Sequence, residues 1–123
     1  MTSKYHQGFT LIECLVALLI IAIVLASATR AIGMSINDVH NNYVRENAMW
    51  VANNQIAQYY LDKTYPTMGV TTNATSMANI DFMVKTNITS TGNPYFRKIY
   101  IDISEKDTPN YIIYNTVSFI SQY

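Results

Sequence analysis

Gly8-Phe9-Thr10-Leu11-Ile12-Glu13, continuing into the apolar run from Cys14 to Ala28, is the stretch on which the fold turns. Between Phe9 and Ala28 the only charged residue is Glu13, close to the start of the run. A bilayer hydrocarbon core about 30 Å thick is spanned by roughly 20 mostly apolar helical residues, so this run is long enough to cross one. A carboxylate near the middle of a bilayer costs at least ~2.5 kcal/mol, and less towards one end. The position of Glu13 therefore calls for a partner for its charge.

The 123 residues hold one domain besides this run. Charged residues make up 13% of the chain, about half the ~25% of an ordinary globular protein. Eight basic and eight acidic residues cancel, which excludes the strong basic bias of a nucleic-acid or anionic-lipid surface. Cys14 is the single cysteine, so no intrachain disulfide forms and the redox compartment stays unassigned. Inside the run it reads as a small apolar helix residue.

Met1 to Gly8 is short and polar, with Lys4 and His6. Two readings are open for its junction with the apolar run. An ordinary secretory signal is cut after its apolar region at a small-x-small site, and Ala26-Ser27-Ala28 has that form. Gly8-Phe9-Thr10-Leu11-Ile12-Glu13, in contrast, resembles the prepilin-peptidase site of type IV pilins and type II secretion pseudopilins. That resemblance implies a leader peptide over residues 1–8, cleavage between Gly8 and Phe9, and N-methylation of the new Phe9 amine. A glycine before the cut lets a protease approach the backbone closely. A cut there also leaves the apolar run on the mature chain as an anchor. Lys4 on one side and Arg30 and Arg45 on the other orient the span only weakly by charge. The resemblance sets the direction: a single-pass bacterial inner-membrane protein with its C-terminal domain in the periplasm.

Helical character continues past the membrane half, residues 9–29. From Arg30 to Lys63 there is no proline, and Ile32, Ile36, Val39, Tyr43, Trp50, Ala57 and Leu61 recur at gaps of three, four and seven. Asn37, Asp38, Asn41, Asn42, Arg45, Asn53 and Gln55 carry the opposite, hydrated face. A helix from Phe9 to Lys63 would extend roughly 80 Å at 1.5 Å per residue, too long for one small domain. Gly33 lies near the junction of the two halves, and Tyr65-Pro66 ends the pattern.

Thr64 to Asn79 is rich in Thr, Asn, Ser, Gly and Met without periodicity, which reads as a loop. Residues 80–123 read as a sheet. Ile80, Phe82 and Val84 alternate with polar or larger neighbours, as do Ile99, Ile101 and Ile103. Tyr111 to Ser121 is a third strand whose two faces are both mixed. Turn-forming residues 89–94 and 105–110 separate the strands, so an antiparallel meander is expected. Its apolar face is expected to pack on the helix through Tyr43, Trp50 and Ala57. The fold class is thus α+β: a long N-terminal helix on a small antiparallel sheet.

The chain carries no catalytic pattern. His40 stands alone on a polar helix face, and no metal-ligand spacing, phosphate-cradling loop or nucleophile elbow occurs. Asp102, Glu105 and Asp107 gather at a turn, where they read as solvated rather than as a calcium site. The two Asn-x-Thr triplets at Asn73 and Asn87 are expected by chance in so Asn/Thr-rich a chain. No enzyme, metal or cofactor is expected.

Val44-Arg45-Glu46-Asn47-Ala48-Met49-Trp50-Val51-Ala52-Asn53-Asn54-Gln55-Ile56-Ala57 resembles the corresponding helix of the minor pseudopilin I subunit of type II secretion. Phe96-Arg97-Lys98-Ile99-Tyr100-Ile101-Asp102-Ile103 is loosely similar to its basic-then-alternating strand. This implies a pilin-like fold and a structural role in the pseudopilus tip complex, with J, K and H type minor subunits, the major pseudopilin and the prepilin peptidase as partners. It also implies that Glu13 serves assembly by pairing with the Phe9 amine of a neighbouring subunit, an intrachain pair being the other option. The alternative within the superfamily is a type IV pilus minor pilin acting in adhesion, motility or DNA uptake. Outside the superfamily, an exported binding module cut after Ala28 is the rival.

Overall fold

The computed structural model describes residues 8–122, so the leader positions before Gly8 lie outside the described residues. The chain divides into two compact units, Met1–His40 and Asn41–Tyr123. Helix α1, Leu11–Leu61, supplies all the regular structure described in the first unit and opens the second.

In the first unit every described residue is exposed. An 18-residue window of the helix is long and apolar enough to cross a membrane, and none of it is buried. Two of its hydroxyl side chains are satisfied within the helix. Ser27 Oγ donates to the Ile23 carbonyl at 2.8 Å, and Thr29 Oγ1 donates to the Leu25 carbonyl at 2.8 Å. Bonding back one turn hides the hydroxyls, which is how Ser and Thr are tolerated where no water can serve them.

The second unit packs α1 from residue 41 onward against four strands: β1 (Gly69–Met77), β2 (Ile80–Ser90), β3 (Phe96–Glu105) and β4 (Ile112–Ser121). They form one antiparallel sheet in the order β1-β2-β3-β4, the meander expected from the short links. The core joins Val44, Ala48, Val51 and Ala52 of α1 to Phe82, Val84 and Ile88 of β2, Ile99, Ile101 and Ile103 of β3 and Ile120 of β4. Alternation puts Phe82, Val84, Thr86 and Ile88 on one face because successive strand side chains point to opposite sides. Each of the large aliphatic or aromatic side chains removed from water contributes about 1.5–3 kcal/mol.

Two sequence expectations are corrected here, and one ambiguity is resolved. The helix–sheet contact does not run through Tyr43, Trp50 and Ala57, all of which are exposed. At 100° per residue those three lie roughly 125–165° around the helix from the centre of the buried stripe. The side that faces the sheet is the one with Val44, Ala48, Val51 and Ala52, because a helical period leaves open which of two stripes meets the second surface.

The segment 64–79 is not all loop, since Gly69–Met77 is a nine-residue strand. Its Thr, Asn, Ala and Ser bury almost nothing, so no apolar alternation marks it. It is held by its ladder with β2 and closed by a two-residue turn at Ala78 and Asn79, with φ of 52° and 62°. Two successive left-handed residues make the hairpin turn whose twist matches that of the strands. Asn79 adopts this backbone readily, whereas Ala78 is strained there.

Finally, β4 turns Tyr114, Thr116, Ser118 and Ile120 to the helix side, opposite Ile103, Ile101, Ile99 and Arg97. Only Ile120 of these is fully buried, while Val117 and Phe119 lie outside. That explains the mixed faces of the sequence pattern.

The links are tied by specific polar contacts. Tyr65 Oη donates to the Pro94 carbonyl at 2.9 Å, and the Arg97 guanidinium lies 4.1 Å from the centre of its ring. Asn93 Oδ1 accepts from the Tyr95 amide at 3.0 Å, the local side-chain bond that favours Asn in turns.

Candidate functional site

The sequence singles out two places, one in each unit. The first is the start of α1. Gly8, Phe9 and Thr10 precede the helix, and Phe9 is 90% exposed. A Cβ added at Gly8 would meet nothing within 4 Å. Among the described residues, nothing in the fold therefore requires a glycine there.

Glu13 has a partner within its own chain that sequence reasoning missed. Its Oε2 accepts from the Thr10 amide at 2.7 Å and from Thr10 Oγ1 at 2.8 Å. In return the Glu13 amide donates to Thr10 Oγ1 at 3.3 Å. The Cys14 amide reaches the Thr10 carbonyl at 3.3 Å, the first turn of the helix. This is a capping box: Thr10 is the N-cap, Glu13 is the third helical residue, and each satisfies the other's amide. Its signal in the sequence is Thr10-x-x-Glu13 ahead of an apolar run. Without it, the amides of the first turn have no helical partner.

The second place is the side of α1 opposite the sheet in the second unit. Tyr43 is 49% exposed, Trp50 54% and Leu61 76%, and Ala57 is exposed with them. They form a stripe of apolar and aromatic residues that the unit's own sheet leaves uncovered. Flat aromatic residues such as Trp50 and Tyr43 are the kind that dominate protein contacts. The stripe is present as its period implies, but it faces away from the sheet expected to cover it.

The remaining candidates separate. Asp102 is paired across the strands with Lys85, on the sheet face away from the helix. Glu105 and Asp107 instead border a polar cleft with Asp81, where Lys106 Nζ stands 4.0 Å from Asp81 Oδ2 at the surface. Among the described residues no group of three or more His, Cys, Asp or Glu is placed to hold a metal ion. His40 is exposed on α1.

Comparison with known proteins bears on both places. Residues 3–29 match the prokaryotic N-terminal methylation motif, and residues 45–121 match the family of type II secretion system protein I. Type II secretion system protein I of Pseudomonas aeruginosa is 31% identical over 103 residues, covering 84% of this chain and 80% of that protein. With the methylation motif on the exposed start of α1 and the family match over the unit that carries the uncovered helix stripe, this chain belongs to the type II secretion system protein I family, the pseudopilins.

Proposed function

We propose that this chain is a minor pseudopilin of the pseudopilus tip complex, a structural subunit that primes assembly and helps export folded proteins across the outer membrane. The observation that carries the reading is the uncovered Tyr43–Trp50–Leu61 stripe in the second unit, a surface made for other helices rather than for the chain's own sheet. In this reading a prepilin peptidase removes residues 1–8, and the Phe9 amine is methylated. The apolar helix holds the chain in the inner membrane, with residues 30–123 in the periplasm. J, K and H type minor subunits and the major pseudopilin are the partners, and the role is structural rather than catalytic. Small residues at Ala17, Ala22, Ala26 and Ala28 permit close approach of neighbouring membrane helices.

Glu13 then has two tasks. Its carboxylate caps the helix through Thr10, and its negative charge meets the positive Phe9 amine of a neighbouring subunit. Opposite charges in a medium of low dielectric attract strongly, and the pair sets the axial register of the subunits.

The two tasks are separable by substitution. Glu13→Gln keeps the capping geometry, since Gln serves the same position in a capping box. It removes the charge. Thr10→Ala removes the cap and keeps the charge. In membranes, mass spectrometry of the unmodified chain is expected to give an N-terminus at Phe9. Glu13→Gln is expected to be cleaved normally and to lose at least tenfold in co-purification with the partner subunits, while Thr10→Ala loses less. An N-terminus after Ala28 would overturn the pilin-type reading, and undiminished co-purification of Glu13→Gln would overturn the charge pairing.

A further inference from the structure

The two edges of the sheet are built differently. Along β4 the register slips between Ile103 and Ser104, a bulge that bends the edge. Tyr60 Oη donates to the Phe119 carbonyl at 2.7 Å, so α1 reaches over and occupies a backbone acceptor of that strand. Bulges and covering side chains are the devices by which natural sheets keep an edge from recruiting another strand.

β1 has none of these. It pairs with β2 through nine consecutive positions, from Gly69↔Ile88 to Met77↔Ile80, without a shift. Gly-Val-Thr-Thr-Asn-Ala-Thr-Ser-Met contains no charge and no proline. Among the described residues no side chain hydrogen-bonds to its backbone. Eight of its nine residues are exposed, and Met77 is the exception.

Thr71, Asn73 and Thr75 stand opposite the buried Thr86, Val84 and Phe82, on the side that faces the helix, yet they stay in water. Ordering a residue costs about 1–2 kcal/mol of backbone entropy, and β1 recovers little of it by burial. In an antiparallel ladder every second residue of an edge strand turns its N–H and C=O outward. β1 therefore presents a straight, uncharged row of free backbone donors and acceptors, flanked by small hydroxyl and methyl side chains.

We infer that this edge takes up an extended, uncharged segment of another subunit as a fifth strand. Backbone hydrogen bonds supply the affinity in such strand addition, and alternating side chains supply the selectivity. On the outer face the incoming segment meets Val70, Thr72, Ala74 and Ser76. Small or β-branched side chains fit beside them without a clash. That the occupant is a different subunit rests on the assembly reading above; the open edge does not.

Amide hydrogen exchange of the full chain tests this, with the chain held in inner membranes that contain the partner subunits and in membranes that lack them. Alternate amides within Gly69–Met77 are expected to exchange at least tenfold more slowly when the partners are present, with β4 unchanged. Thr72→Lys combined with Ala74→Lys places two exposed charges beside the edge. It is expected to abolish that protection while thermal unfolding and partner co-purification through the helix stripe persist. Partners that co-purify while β1 stays equally open in both membranes would overturn the strand addition and leave the assembly reading standing. Equal protection in both membranes would assign the edge to a second copy of this chain and overturn the proposed occupant.

Discussion

Between residues 11 and 40 α1 buries no side chain, whereas between residues 41 and 61 it buries Val44, Ala48, Val51 and Ala52. Up to Ala28 the earlier stretch places Leu, Ile and Val all around the helix, so its apolar surface is not confined to one face, and lipid or neighbouring helices are what can cover it. The later stretch carries two apolar stripes. One is small and covered by the sheet; the other is large, aromatic and bare. Ala48 and Ala52 lie on the covered stripe and are fully buried, whereas Trp50 lies on the bare one and is 54% exposed.

The same chemical change made in both stretches separates them. Ala48→Leu adds three carbons where the residue is fully buried against the sheet. Overpacking of this kind costs about 1–3 kcal/mol. The full chain in detergent micelles is expected to unfold several degrees lower, read by near-ultraviolet circular dichroism. An unchanged midpoint would mean that the alanine face is not the tight one.

Trp50→Ala comes next in size. Truncation of a core tryptophan removes about 3–5 kcal/mol, but Trp50 is more than half exposed, and surface changes stay within about 0.5 kcal/mol. Its midpoint is expected to move little, while co-purification with partner subunits falls. A loss of several kcal/mol would restore the packing role that the sequence pattern implies for it.

Ala22→Leu is expected to do least. Ala22 is exposed in the chain, and both residues are strong helix formers. Unfolding of the second unit is expected to be unaltered within error, and any effect appears as weaker association with neighbouring membrane helices. A shift matching that of Ala48→Leu would erase the contrast between the two stretches.

Much of this protein is legible in one dimension. The apolar run, the Gly8-Phe9 junction and the charge at Glu13 stand together within a few residues, and local chemistry defines each of them. Thr10-x-x-Glu13 is equally local, yet a carboxylate beside an apolar run draws the eye as a charge to be neutralised before it is read as a cap. The alternation of β2 and β3 is legible because their inward residues are mostly apolar and their outward ones are mostly not. The helix period is legible too, and so is the stripe through Tyr43 and Trp50.

The anchor, the long helix, the two central strands and the family resemblance are thus all written into the chain itself, because each depends on residues near one another along it. Which stripe of α1 meets the sheet is settled only by packing, because a helical period has no preferred phase until a second surface selects one. Packing likewise makes Gly69–Met77 a strand, because its order comes from nine backbone pairs with β2 and not from any pattern of its own. The same holds for the inward side of β4, where Thr116 and Ser118 face the helix only because Ile101 and Ile99 fix the register across the ladder.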